Sequence, residues 1–328
     1  MKALNFVAGL AIAVSALTAQ AAPNSAQIKS VLEAQKTCGS FVRVDNANVY
    51  LGFAQYKYGS EEPRAAIPAH VNVAPLNGAE PFSLATNDGA LDMITDGSTA
   101  YILTYTSIEE WNLDSKTRVS EYPTTTTQGA LEYKQHASQF VRYKNELVIA
   151  HGRFGLTFFD LKTKKITSQM HLIDRQLPVE SQATGITVQD NLAFITLDGY
   201  SLFEPGHEQK VFRGIVVVDL DTNTQVGEMD GLDPGATSIV SDANRAIVSF
   251  GGNPLWKFNL HTLATTKSNE LPSPLLRLFK FPMKGHPVGS AAMDDQYYYT
   301  CYSTPPPSGS GLMIHAPLAL DRALVGLD

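Results

Sequence analysis

The stretch "GIVVVDLDTNTQVGEMDGL" (214–232) decides the fold, because it combines an apolar strand, a polar turn and a second strand. It also places Asp219, Asp221 and Asn223 at alternate positions, which is the ligand spacing at the start of a helix-flanked calcium loop. That loop requires Gly at its sixth position and a bidentate Glu at its twelfth, where this sequence has Thr and Asp. Since the flanks are valine-rich rather than helical, the stretch predicts a β-hairpin.

The same hairpin pattern recurs along the chain. An apolar strand ending in Asp-Leu or Asn-Leu, followed by a polar turn, also occurs in "EEWNLDSKTRV" (109–119), "LTFFDLKTKKI" (156–166) and "LWKFNLHTLAT" (255–265). A second kind of hairpin, such as "LDMITDGSTAYILTY", precedes each of these stretches. Its turn residues lie 46 to 53 positions apart and are Asn46, Gly97, Asn145, Asn191, Asn244 and Asp295.

Six units of this length, each with two hairpins, predict a six-bladed β-propeller with four antiparallel strands per blade. A seven-bladed ring is the alternative, because residues 54–90 are long enough to contain a further blade. Asn, Asp and Gly suit the turns because they adopt positive φ at low cost.

The recurrent Asp/Asn-Leu-x-Thr turn resembles those of the secreted bacterial β-propellers of the YVTN-type and quinoprotein-like superfamily. The resemblance covers residues 38–328 and implies a propeller fold. The chain has only Trp111 and Trp256, so it lacks the repeated tryptophans of the propellers that bind pyrroloquinoline quinone. Because the superfamily includes enzymes, scaffolds and binding proteins, the resemblance implies no particular activity.

The N-terminus has the pattern of a signal peptide rather than of a membrane anchor. Lys2 precedes a short apolar run that ends in Ala19-Gln20-Ala21, a small-x-small cleavage site, so we expect residues 1–21 to be removed. Residues 22–37 form an N-terminal segment with a short helix, and residues 38–328 form the propeller domain. No later segment is apolar enough to span a membrane, and the predicted location is periplasmic or secreted.

Charge and cysteine content narrow the classes of function. The formal net charge is −7 and the chain has no basic block, which argues against nucleic-acid binding. The two cysteines, Cys38 and Cys301, would be in an oxidising compartment, so we expect a disulfide between them; two separate buried thiols are the alternative.

The candidate functional residues lie in one set of loops. In a propeller, the turns within hairpins (A to B and C to D) fall on one face, here the short-turn face. The B-to-C loops and the connections between blades fall on the opposite, long-loop face. These loops are long here, and long loops on a rigid scaffold usually carry binding sites. The predicted ligand- or partner-binding residues at the channel mouth of this face are His136, Glu180, Gln182, Asp198 and His286.

The sequence contains no His-Glu-x-x-His motif, nucleophile elbow or phosphate-binding loop, and the catalytic residues are unknown. We therefore expect a non-catalytic binding or scaffold protein whose partner is a protein or a small polar ligand of the cell envelope. The alternative is a calcium-dependent hydrolase or lactonase-like enzyme at the channel mouth. No cofactor and no metal ligand are predicted, although calcium would accompany the alternative.

Overall fold

The computed structural model describes residues 24–35, 39–53, 68–124, 137–172, 181–199, 214–230, 232, 236–242, 245–250, 256–259, 286–294, 296–303 and 312–317. They form one helix, α1 (Ser25–Gln35), and strands β1 to β22, which pair only antiparallel. Residues 1–21, the predicted signal peptide, lie outside the described part of the chain. No helix in that part is long and apolar enough to cross a membrane.

Sixteen strands form four blades of four strands, each in sequential order. The first blade contains β1 (Phe41–Val44), β2 (Asn48–Phe53), β3 (His70–Pro75) and β4 (Phe82–Ala85). The second contains β5 (Ala90–Asp96), β6 (Thr99–Thr104), β7 (Ser107–Asn112) and β8 (Thr117–Pro123). The third contains β9 (Gln139–Tyr143), β10 (Glu146–Ala150), β11 (Leu156–Asp160) and β12 (Lys165–Met170). The fourth contains β13 (Ser181–Gln189), β14 (Leu192–Gly199), β15 (Gly214–Asp219) and β16 (Thr224–Asp230).

Two further sheets have three strands each. One contains β17 (Ala236–Ser241), β18 (Arg245–Phe250) and β19 (Trp256–Asn259), and the other contains β20 (His286–Met293), β21 (Tyr297–Ser303) and β22 (Leu312–Pro317). The prediction of six four-stranded blades, and its seven-bladed alternative, is wrong: the described residues form four such blades. The sequence repeats reveal the hairpin turns, whereas an outermost strand has one solvent-facing side and little apolar signal of its own. A repeat of hairpin turns therefore does not establish an outermost strand in every unit.

The sheets are arranged like the blades of a β-propeller. The innermost strands β1, β5, β9, β13, β17 and β20 each contact the next one, and β20 contacts β1. Apolar clusters lie between successive sheets; one joins Phe158 and Ala150 of the third blade to Ile195 and Val216 of the fourth. Another joins Phe194 and Ile215 to Ile239 of β17. The core is therefore a set of interfaces between sheets.

The opening stretch is the hairpin that its sequence predicts. β15 pairs with β16, and the Asp219 carboxylate accepts hydrogen bonds from the amides of Asp221 and Thr222 at 2.8 and 3.2 Å. Asp160 accepts the amides of Lys162 and Thr163 in the same way in the third blade. These backbone amides stabilise the anionic form and lower the pKa of Asp160. The recurrent Asp thus closes its own turn.

The same turns contain a residue with positive φ and are followed by a β-bulge. Lys116, Lys164 and Asn223 have φ of 57°, 57° and 51°. Three positions later, the outermost strands β8, β12 and β16 each contain one residue without a partner in the register. Two of these residues, Val119 and Val226, are the exposed large apolar side chains of the described part. Bulges bend an exposed edge and disfavour pairing with another chain.

The helix α1 lies against the seam between the first blade and the β20–β22 sheet. Asn24 caps it, since its Oδ1 accepts the Ala26 amide at 2.7 Å. Ile28 and Leu32 are buried in a cluster that contains Leu51 of β2 and Tyr299 of β21. The helix therefore contacts strands from both ends of the chain.

The predicted partner of Cys38 lies in that cluster. Cys301 is fully buried against first-blade residues, while Cys38 falls outside the described residues. Gly39 follows Cys38 and lies against Gly52 and Phe53 at the end of β2, next to Leu51 of the same cluster. The pairing stays a prediction.

We expect the unreduced protein to show no free thiol after denaturation, and two after reduction. Because the bridge would close a loop of most of the chain, its loss should lower the free energy of unfolding by at most about 4–5 kcal/mol. A thiol titration with and without reductant measures the first quantity, and urea unfolding measures the second. Two free thiols before reduction would rule the bridge out.

Candidate functional site

Two of the predicted site residues meet in the structure. Gln182 of β13 and Asp198 of β14 are directly opposite each other in the register, at the long-loop end of the fourth blade. They are 9% and 8% exposed. His286 begins β20 opposite Ser303, at the corresponding end of its sheet. His136 and Glu180 lie outside the described residues, and their place in the site stays a prediction.

The Gln182 amide nitrogen is a buried donor with no hydrogen-bond partner among the described residues. Thr124 follows β8, and its buried hydroxyl likewise has no hydrogen-bond partner among the described residues. Both residues lie at the long-loop end of their strands. A buried polar group without a partner costs about 1–3 kcal/mol, so such positions in a native fold call for an explanation.

A loop of the third blade packs beside this pair. The backbones of Gly152 and Ala183 form an isolated bridge with N···O distances of 3.1 and 2.9 Å. The preceding residue, His151, is fully buried, and its Nδ1 lies 2.9 Å from Thr157 Oγ1. This bridge joins the B-to-C loop of the third blade to the beginning of β13.

An ion pair between the buried Asp92 and the partly exposed Arg43 lies at the centre of the ring, and the sequence patterns do not reveal it. Arg43 of β1 donates from Nε and Nη2 to the two carboxylate oxygens of Asp92 in β5, both at 2.7 Å. Asp92 is fully buried and also accepts the amides of Met93 and Phe140. Arg43 donates in addition to the Ala291 carbonyl in β20 at 3.2 Å. The pair therefore links four innermost strands.

Gln139 forms the second central connection. Its Nε2 donates to the Ile239 carbonyl at 2.9 Å, and its Oε1 accepts the amides of Ile186 and Ile239 at 3.1 and 3.3 Å. It thereby joins β9 to β13 and β17. Gly185 fits against it, since a Cβ there would lie 2.9 Å from Gln139 Oε1 and 2.8 Å from the Ile239 nitrogen. Within the described strands, these buried side chains fill the middle of the ring.

The short-turn face is held together by contacts between neighbouring blades. Arg142 of β9 lies 2.6 Å from Asp96 of the second blade, and Lys164 lies 2.9 Å from Glu110. Asp221 of the fourth blade pairs with Lys144 of the third. The hydrogen bond from Lys144, followed by that from Tyr143, lowers the pKa of Asp221. Several charges of this face are thus paired across the interfaces between blades.

A second structural motif on this face is an Asp with a Tyr five positions later. Asp45 accepts the amides of Ala47 and Asn48, and the Tyr50 hydroxyl at 2.6 Å. Asp294 accepts two turn amides and the Tyr299 hydroxyl in the same way. Burial, together with the hydrogen bond to Asp45, raises the pKa of Tyr50.

An open depression of about 310 Å³ lies between β1, β5 and β9 on the same face. Its walls include Arg43, Asp45, Thr95 and Arg142. Each of these polar groups already has a partner in the fold: Thr95 donates to Asp45 at 3.0 Å, and both arginines are in ion pairs. These polar groups of the depression are therefore already hydrogen-bonded or ion-paired and are poorly suited to bind a ligand.

The second blade contains a buried acid. Glu109 of β7 is fully buried, and burial raises the pKa of its carboxyl. It accepts the Asn87 amide at 2.7 Å and the Trp111 indole N–H at 2.9 Å, while Arg118 lies 3.4 Å away. Both carboxylate oxygens of Glu109 therefore already accept hydrogen bonds from neighbouring residues. Among the described residues, no group of three or more His, Cys, Asp or Glu side chains could hold a metal ion.

Comparison with known proteins identifies the fold class only. No model of a known protein family matches the chain, and no curated protein matches it. A solved structure described as "Structure of U3-55K" has 8% identity and a TM-score of 0.53, covering 86% of this chain and 83% of that one. The computationally designed Ika8 protein covers 86% of this chain and 97% of its own, with 10% identity and a TM-score of 0.46.

The chain is therefore β-propeller-like, and no family match supports the narrower YVTN-type or quinoprotein-like assignment. At such low identity the likeness to U3-55K concerns architecture and transfers no activity.

Proposed function

We propose that the protein is a non-catalytic binding or scaffold protein that holds a protein or a small polar ligand on its long-loop face. One observation carries this proposal: Gln182 Nε2 and Thr124 Oγ1, two of the buried side-chain atoms that have no hydrogen-bond partner among the described residues, both lie at long-loop ends. A ligand or partner with hydrogen-bond acceptors would satisfy such donors. His136, Glu180, Asp198 and His286 complete the proposed rim.

The opposite face supports the choice by contrast. Its carboxylates accept turn amides or pair with cations of the neighbouring blade, as Asp219 and Asp221 do. Exposed ion pairs of this kind each contribute little to stability. They do, however, engage charged groups that would otherwise be available to a ligand. Export to the periplasm or the exterior, with a Cys38–Cys301 bridge, belongs to the same proposal and would bring the rim into contact with components of the envelope.

The test compares matched substitutions on the two faces. We expect Gln182→Met and Thr124→Val, combined with alanine at His136, Glu180 and His286, to weaken capture of the partner by about tenfold or more. Because Gln182→Met and Thr124→Val replace polar groups without a partner, each should leave the free energy of unfolding within about 1 kcal/mol of wild type. The control is Lys162→Met, an exposed residue in a turn of the short-turn face.

The measurement is recovery of the partner from an extract of the source cells on immobilised protein, alongside urea unfolding of each variant. Loss of capture in the control but not in the rim variants would place function on the other face. Stoichiometric calcium in the purified protein, with hydrolysis of a lactone, would favour the hydrolase instead.

A further inference from the structure

Among the described strands, none is shared between the two sheets at the closing seam of the ring. The first blade is built from residues 41–85 and the β20–β22 sheet from residues 286–317. In the described strands, neither sheet includes a strand from the other end of the chain. Elsewhere in the ring, adjoining sheets are consecutive in sequence, so the covalent chain keeps them close. The seam joins sheets that lie far apart in the sequence.

The described contacts across this seam are of two kinds, a hydrogen bond and apolar packing. Arg43 donates one hydrogen bond to the Ala291 carbonyl at 3.2 Å. The apolar cluster at the seam joins Val42 and Leu51 to Ala292 and Tyr299. These contacts bury apolar surface, which is favourable in proportion to the area removed from water.

The helix α1 completes this cluster from outside. Ile28 and Leu32 are 2% and 1% exposed within it, so both project into the seam. The Gln27 side chain donates to the Leu76 carbonyl on the first-blade side. On the other side, the Lys29 ammonium lies 5.5 Å from the centre of the Tyr297 ring in β21. The helix therefore contacts the two sheets that the chain does not otherwise connect.

The helix has little stability of its own. It has 11 residues, and isolated helices of that length are marginal in water. Its i,i+4 pair, Lys29–Glu33, is exposed and 3.8 Å apart, which is a weak contribution. Docking and folding of α1 are thus coupled: when it leaves the seam it also unfolds, and the cluster loses two buried side chains.

We propose that, when no Cys38–Cys301 bridge is present, α1 is a latch that controls opening of the ring at the seam between the first blade and the β20–β22 sheet. Undocking of α1 exposes the cluster around Leu51 and Tyr299, while the Arg43–Ala291 hydrogen bond still crosses the seam. The ring then opens locally at this seam while the second, third and fourth blades stay folded, since sub-global opening follows the least stable interface.

Hydrogen exchange of the full-length protein under reducing conditions tests the latch, because reduction removes any covalent bridge at the seam. In Ile28→Ala/Leu32→Ala, amides of β1 and β20 should exchange about tenfold faster than in wild type, while those of β10 and β11 change far less. The control is Ser30→Ala/Glu33→Ala, which alters two exposed positions of the same helix and should leave the seam protected.

If the double variant does not fold, Ile28→Val removes only one methylene and should give the same seam-selective pattern at lower amplitude. Uniform acceleration in all blades would mean that α1 contributes only to global stability. Unchanged exchange at β1 and β20 would mean that the seam does not depend on α1. Either result overturns the proposal.

Discussion

Asp92→Ala should lower the free energy of unfolding by about 3–5 kcal/mol, the cost of breaking a buried ion pair by removing one partner. The carboxylate accepts four hydrogen bonds from three strands, and its loss leaves Arg43 without its bidentate partner at the centre of the ring. The Phe140 amide is left in a buried position without its acceptor as well. Urea unfolding at neutral pH measures the loss.

An exposed ion pair of the same ring provides the control. Asp96→Ala removes the partner of Arg142, but both side chains are largely exposed, at 54% and 39%. Exposed pairs contribute about 0–1 kcal/mol, so this variant should unfold close to wild type. If the two substitutions cost the same, the central position of Asp92 would have no special role.

Gln139→Leu should also be severe and lower the free energy of unfolding by about 3 kcal/mol or more. Each buried polar group left without a hydrogen-bond partner costs about 1–3 kcal/mol. Leucine cannot bond the Ile186 amide or the amide and carbonyl of Ile239, which are buried between β9, β13 and β17. The loss is measured as the shift of the urea midpoint at constant m-value, since an unchanged m-value indicates a change in stability alone.

Gln169→Leu is the matched control for this substitution. Gln169 is exposed, and its Nε2 makes one hydrogen bond, to Thr157 Oγ1 at 3.2 Å. Water can replace that bond, so the expected change is within about 0.5 kcal/mol. A large loss in the control, or a negligible loss in Gln139→Leu, would show that the central amide does not join the blades.

The hairpin turns could be predicted from sequence because their signal is local. The Asp of the Asp-Leu turn accepts amides two and three positions later, so its role is contained within a few residues. The number of strands per blade could not be obtained in this way. Outermost strands such as β12 are mostly exposed and carry a weak apolar pattern, so a repeat of turns does not establish that each unit has one.

The central residues were missed for a different reason. Asp92 and Gln139 are polar residues next to apolar ones in innermost strands, and only the packing of neighbouring blades brings Asp92 to Arg43, 49 positions away. A buried acid within "GALDMI" is nevertheless a signal that a partner must exist. In the candidate site, sequence placed Gln182 and Asp198 at the same end of their blade, and the register shows that they are opposite each other.

A cross-linking map tests most directly whether binding belongs to the long-loop face. A photoreactive residue is placed singly at Thr106 or His171, exposed at long-loop ends, or at Ser115 or Thr163, exposed in short turns. Each variant is irradiated in an extract of the source cells. We predict a discrete cross-linked product from Thr106 or His171 and none from Ser115 or Thr163. A product only from Ser115 or Thr163 would contradict the assignment.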